Sequence, residues 1–330
     1  MTTKGDSMSQ FRNKRRALLA GIAALPWGLA GAQSTPSGPI RIVVPYPAGG
    51  ATDALARLIA QDLQAAWGTS VVVENKPGAS GNIGAQQVVR APADGLTVLM
   101  SITALIQLPS LTKMPFDPLK DLVPVIEVAR SQSMLIVPAD SLASNLRQFI
   151  ALAKTNPRRY SNGSFGTGTS SHIQGELLKM QAGIDIVHVP YKGSAPLITD
   201  LLGGQVTSAF VDSASIAPYL KTGKLRVLGV TGTKRNRLVP EVPTMAEQGF
   251  KDFEPVGWFG MFMPAGTPAP VVNKFSAEVA RILREPQAQA KVEGLGLMPV
   301  GNTPQEFART VRSDHGLYAR IIKAANIRMD

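Results

Sequence analysis

The chain has no cysteine and only three histidines in 330 residues. The first absence excludes disulfides, thiol nucleophiles, cysteine-ligated zinc and lipid attachment through an N-terminal cysteine. His172, His188 and His315 stand far apart with no His-x-x-x-His pair, so no zinc site is expected. Aromatics are 6% of the residues and no basic stripe is interleaved with them, so nucleic acid is not an expected partner. No Gly-Lys-Ser/Thr phosphate loop occurs, and "GASGNIG" (78–84) has the wrong spacing for a dinucleotide fingerprint. No Gly-x-Ser-x-Gly elbow is present either. No run reaches the ~18 uninterrupted apolar residues that a membrane-spanning helix needs.

What is present is a globular composition: 44% hydrophobic, 17% charged, 31 glycines and 25 prolines. The length suits two domains of ordinary size. Net charge is +11, but residues 1–32 hold five basic residues against one acidic, which leaves 29 against 22 beyond them. Those are scattered apart from Lys234, Arg235 and Arg237, and read as a solvated surface. The start, "FRNKRRALLAGIAALPWGLAGAQS", has a basic opening, an apolar run from Ala17 to Ala24 and a small-residue ending at Ala30-Gly31-Ala32. That is the pattern of an export signal over residues 1–32 with cleavage between Ala32 and Gln33, and Arg15-Arg16 leaves Sec or twin-arginine routing open. The mature protein is expected to be soluble and exported.

Strand and helix signals then alternate. Strands are expected at 40–44, 70–78 (with its turn) and 96–101, and helices at 52–66 and 81–95. Strands follow at 123–129 and 133–139, then a helix at 145–156. A strand, a Gly/Ser/Thr loop and an amphipathic helix fill 160–183. "DIVHVPY", "VTSAFVDSA" and "LRVLGVTG" read as strands, with helices in "APLITDLLGGQ" and "IAPYLKTGK". Two clear helices end the chain, in "APVVNKFSAEVARILRE" and "TPQEFARTVRSDHGLYARIIKAAN". Alternation of this kind gives a parallel-rich sheet with helices on both faces. The fold class is therefore α/β.

Two turns stand out because each joins a strand to a helix through glycines. Gly49, Gly50, Ala51 and Thr52 can turn backbone N–H groups, and one hydroxyl, toward an anion at a helix start. Gly166, Thr167, Gly168, Thr169, Ser170 and Ser171 can do the same in the second half. Donors without a full positive charge suit a carboxylate. His172 reads either as a general base for Ser170 or Ser171, as in a hydrolase, or as a polar lining residue. Asp53 reads either as a first-turn helix stabiliser or as a ligand contact.

The stretch "PIRIVVPYPAGGATDALARLIAQDLQAAWGTSVVVENKPGASGNIGAQQVVRAPADGLTVLM" closely resembles the start of a mature Bug-type periplasmic solute-binding protein. This is the TctC family, the substrate receptors of tripartite tricarboxylate transporters. "SFGTGTSSHIQGELLKMQAGIDIVHVPYKGSAPLITDLLGGQV", "VPTMAEQGF" and "PAGTPAPVVNK" extend the resemblance over nearly all of 39–328.

The resemblance implies a periplasmic-binding-protein fold: two α/β domains of type II joined by a hinge, with a ligand cleft between them. Domain I would span 39–135 plus 257–330, and domain II 136–256, with the C-terminal helices on domain I. The implied function is non-catalytic reception of a small carboxylate (a di- or tricarboxylate, acidic amino acid or aromatic acid) for a membrane permease, with no cofactor and no metal. A sensor role with a kinase ectodomain as partner is the alternative, and a serine hydrolase a remoter one. The implied ligand-binding residues are Tyr46, Ala48, Gly49, Gly50, Ala51, Thr52 and Asp53, then Gly166, Thr167, Gly168, Thr169, Ser170 and His172, with Tyr191 and Asp212 completing the cleft. Two departures matter. After the third strand a polar family pattern is replaced by "SITALIQLPSL", where Thr103 can still contribute but Ile102, Leu105 and Ile106 give a less polar wall. Ser213 stands where the family commonly carries Asn. Both imply a ligand with an apolar or aromatic body.

Overall fold

The computed structural model describes residues 38–328. The export signal, its cleavage point and Arg15-Arg16 lie outside the described residues.

Strand β1 (Ile40–Val44) lies one in from an edge of the first sheet, parallel to the edge strand β2 (Val71–Asn75) on one side and to β3 (Thr97–Ile102) on the other. Beyond β3 the sheet continues antiparallel through β10 (Gly257–Pro264) and β4 (Leu122–Ser131), and β11 (Met298–Pro299) closes that edge. The second sheet has the order β7 (Val187–Pro190), β6 (Ser161–Ser164), β8 (Ser208–Asp212), β5 (Ser133–Pro138), β9 (Leu225–Val230). There β6 is parallel to both β7 and β8, while β5 runs antiparallel to β8 and β9.

Both sheets are built by the same two-residue alternation. Ile40, Ile42 and Val44 face a core made with Leu55, Ile59 and Leu63 of α1 (Ala51–Trp67) and Phe275 and Val279 of α8 (Ala269–Leu283). Val43 and Leu99 face the other way, into a core shared with Ala85 and Val88 of α2 (Asn82–Val89). In the second sheet Met134 and Ile136 pack with Leu197 and Leu201 of α6 (Ser194–Leu202), and Leu135 and Val137 turn to the opposite face. Val43, Leu99, Leu135 and Val137 all join one continuous core. It takes in Phe149 of α4 (Leu146–Thr155), Ile173 and Leu177 of α5 (Ser170–Ala182), and Phe307, Tyr318 and Ile321 of α10 (Pro304–Ala324). The final helix therefore touches more than the first lobe: it packs on β4 and also reaches α5 of the second.

The chain crosses from the first sheet to the second through a single residue, Gln132, between β4 and β5. It returns through residues 231–256. Gln132 is buried, and its amide donates to the carbonyls of Thr231 (2.6 Å) and Lys234 (2.7 Å) and accepts from Asn236 Nδ2 (2.9 Å). The two crossings are thus tied side by side. The crossings expected near residues 135 and 257 fall three residues into β5 and at the first residue of β10. Two further helices were not expected, the single turn Ala104–Gln107 (α3) and Pro286–Gly294 (α9); only Ala288 and Val292 of α9 are buried, so its apolar face is weak. Among the described residues no helix is long and apolar enough to cross a membrane.

Candidate functional site

Ligands of open α/β sheets sit outside the carboxyl ends of parallel strands. In the first lobe those ends carry the 46–53 turn after β1 and the 102–111 segment after β3. In the second they carry the 165–170 turn after β6, residue 191 after β7 and Asp212 at the end of β8. Two contacts bring the two edges together. Gln107 of α3 (Ala104–Gln107) donates through Nε2 to Ser170 Oγ at 2.9 Å. Leu111 lies over Gly168, where an added Cβ would fall 2.6 Å from Leu111 Cδ1.

The first turn is exposed at Ala48, Gly49 and Gly50. Gly49 has φ +88°, a backbone state that favours glycine. Asp53 is 4% exposed and is spent inside the protein. Its carboxylate accepts from the Gly49 amide (3.0 Å), Arg57 Nε (3.0 Å) and Asn75 Nδ2 (3.0 Å). Burial alone would push its pKa up, but those bonds and the Arg57 charge outweigh it and hold the pKa below the usual carboxylate value. Asp53 therefore shapes the turn and uses up the Gly49 donor. No side chain caps α1, whose N-cap is Gly50. Among the described residues the amides of Gly50, Ala51 and Thr52 and the Thr52 hydroxyl meet no acceptor, as expected of a first helical turn. Tyr46 sits beside them, its hydroxyl 3.5 Å from Ser101 Oγ; burial pushes it up to about 12, so it stays a neutral donor.

The second turn is held by neutral groups. Gly166 has φ +140° and Gly168 φ +77°. Thr169 Oγ1 donates to the Gly166 carbonyl at 2.7 Å, and the Gly168 amide donates to His172 Nδ1 at 3.1 Å. The His172 ring stacks on His188, centroids 3.7 Å apart and 6° from parallel, and His188 Nε2 bonds Ser164 Oγ at 2.7 Å. Burial first, then neighbouring charge, pulls both histidines down to about 4. His172 is thus a neutral acceptor beneath the loop, and among the described residues no serine hydroxyl hydrogen-bonds it. Ser171 Oγ donates instead to the Phe210 carbonyl at 2.6 Å. A serine–histidine nucleophile is not assembled. The side chain of Thr167 and the hydroxyl hydrogen of Ser170 stay available.

The remaining expected residues are committed within the protein. The Thr103 hydroxyl accepts the Trp258 amide at 2.9 Å and so ties β10 to the end of β3. Tyr191 donates to Asp200 at 2.8 Å. Asp212 caps α7 (Ser213–Leu220) by accepting from the amide and hydroxyl of Ser215, each at 2.8 Å. Leu105 and Ile106 are buried in the shared core, so Ile102 alone of the three expected wall residues is left part-exposed. Ser213 is buried too; its hydroxyl donates to the Gly296 carbonyl at 3.0 Å. That bond joins the lobes and engages the hydroxyl on which the sequence argument for an apolar or aromatic ligand body partly rested. Arg57, Asn75, Gln107 and Leu111 were missed. The i, i+4 spacing of Asp53 and Arg57 was readable; the others act across long stretches of chain.

Two sheet-based lobes with glycine-led helix starts at their adjoining strand ends define a two-lobed solute-binding protein. The family model described as "Tripartite tricarboxylate transporter family receptor" matches residues 55–327, and the chain belongs to that family. It is a family of solute receptors, not of enzymes. A Pseudomonas sp. (strain P51) relative, the "UPF0065 protein in tcbD-tcbE intergenic region", is 38% identical over 314 residues, covering 93% of this chain and 94% of the relative. Among solved structures, the periplasmic binding protein BugD is similar at 34% identity and TM-score 0.75, covering 89% of this chain and all of that one. R. palustris Rpa4515 with adipate is similar at 34% identity and TM-score 0.78, covering 90% of this chain and all of that one.

Proposed function

We propose that this periplasmic receptor binds a linear dicarboxylate between its two glycine turns and delivers it to the membrane permease of a tripartite tricarboxylate transporter. The observation that carries the ligand class is the donor set: uncapped starts of α1 and α5 at the adjoining strand ends, with Thr52, Thr167 and Ser170 beside them. Two separate anion-favouring ends match a ligand with a carboxylate at each end. The similar R. palustris Rpa4515 was solved with adipate, which has that form. The lobes would close on it like a hinge where the chain crosses between sheets. The family description supports delivery to a permease.

The test is thermal melting of the refolded, ligand-stripped chain against mono-, di- and tricarboxylates. A ligand that binds only the folded state raises the melting temperature. Linear dicarboxylates should give the largest shifts. Shifts confined to aromatic monocarboxylates, or to none of the acids, would refute the ligand class. Pull-down by its own permease, strengthened by the ligand, tests delivery.

A further inference from the structure

The segment 104–111 belongs to the first lobe yet seats itself on the second lobe's glycine turn. Gln107 is 1% exposed, and its amide spans from α3 to Ser170, the first residue of α5. One turn further on, Leu111 fills the space above Gly168, a glycine that has no room for a side chain there. A polar and an apolar contact thus bind adjacent points of one turn, and both join the two lobes directly. Neither depends on a ligand. We propose that Gln107 and Leu111 form a closure latch that holds the second turn in its binding position, and that they are positioning residues which set ligand affinity without touching ligand. This rests on the two-lobed receptor reading above.

The physical consequence is a tax on affinity. When only a fraction of the protein is in the binding-competent form, the apparent Kd rises by the inverse of that fraction for every ligand alike. Breaking one hydrogen bond of this kind should raise Kd about 3- to 10-fold. A residue in contact with ligand would instead alter the ranking of ligands.

The cysteine-free sequence makes the test clean. Val72→Cys and Leu142→Cys, both exposed, place one spin label on each lobe. Distance distributions are measured in the ligand-free full chain, alone and with Gln107→Met, which keeps volume but loses the bond, or Leu111→Ala. Calorimetry on unlabelled variants then gives Kd for adipate and glutarate. The latch predicts longer inter-lobe distances in both variants and the same fold increase in Kd for both acids. Unchanged distances would overturn it. So would a Kd change for one acid only, which would make Gln107 a ligand contact. The distance measurement needs no ligand, so failure of adipate to bind would sink the proposed ligand and leave the latch to be judged on distance.

Discussion

The turns after β1 and β6 share one plan, strand–glycine–helix, and differ in what holds them. The first is exposed and fixed by a charged clamp, Asp53 with Arg57 and Asn75. The second is half-buried and fixed by neutral groups, Thr169 on the Gly166 carbonyl and His172 on the Gly168 amide, with Leu111 pressed on top. One geometry can therefore be stabilised by ionic chemistry at a wet surface and by hydroxyl and imidazole chemistry under cover. The two turns should fail under different insults.

The largest difference should come from matched glycine substitutions. Gly168→Ala meets both a positive φ and Leu111 at 2.6 Å, and should cost roughly 2–5 kcal/mol in denaturant unfolding. Gly49→Ala meets a positive φ and open space, and should cost only about 1–2 kcal/mol. Equal costs would break the contrast between covered and open turns. Next, Asp53→Ala strips Gly49, Arg57 and Asn75 of their shared acceptor and should cost roughly 1–3 kcal/mol. It should also weaken adipate binding, as calorimetry would read.

Acid should separate the turns. His172 and His188 are held down to about 4 from an ordinary 6.5. The unfolded chain therefore binds more protons, so their contribution is present above pH 6.5 and is lost as pH falls toward 4. Asp53 lies below 3.8, and its contribution is lost only when pH falls through that lower range. Asp314, pushed by burial up to about 6, acts in the opposite sense and gains stability as pH falls from 6. Comparison with His172→Asn isolates the histidine, because an Asn oxygen still accepts the Gly168 amide at any pH. Between pH 7 and 4 the stability difference should move in the variant's favour by on the order of 1–2 kcal/mol. Parallel melting profiles would contradict this. The smallest effect should be Arg57→Ala, below about 1 kcal/mol because that side chain is half exposed.

The parts legible in the sequence were the local ones. Apolar runs in "IRIVV" and "SMLIVP" marked interior strands, and Gly49-Gly50 and Gly166–Gly168 marked both turns. "GWFGMFMP" was not read as a strand in the middle of the first sheet, where Gly257 and Gly260 weaken the strand signal. Asp53 remained ambiguous because its partner Asn75 is 22 residues away. Leu105, Ile106 and Ser213 were expected to face ligand; in the structure the first two are buried in the shared core and Ser213 bonds the Gly296 carbonyl. Sequence spacing contains no trace of contacts that far apart along the chain.

The most direct test of the account is a calorimetric titration of the stripped full chain with adipate, beside Thr52→Ala and Ser170→Ala, one change in each turn. The account predicts saturable one-to-one binding that each substitution weakens about tenfold, the size of one charge-assisted hydrogen bond. Saturable binding indifferent to both substitutions, or no binding of adipate or any other dicarboxylate, would contradict it.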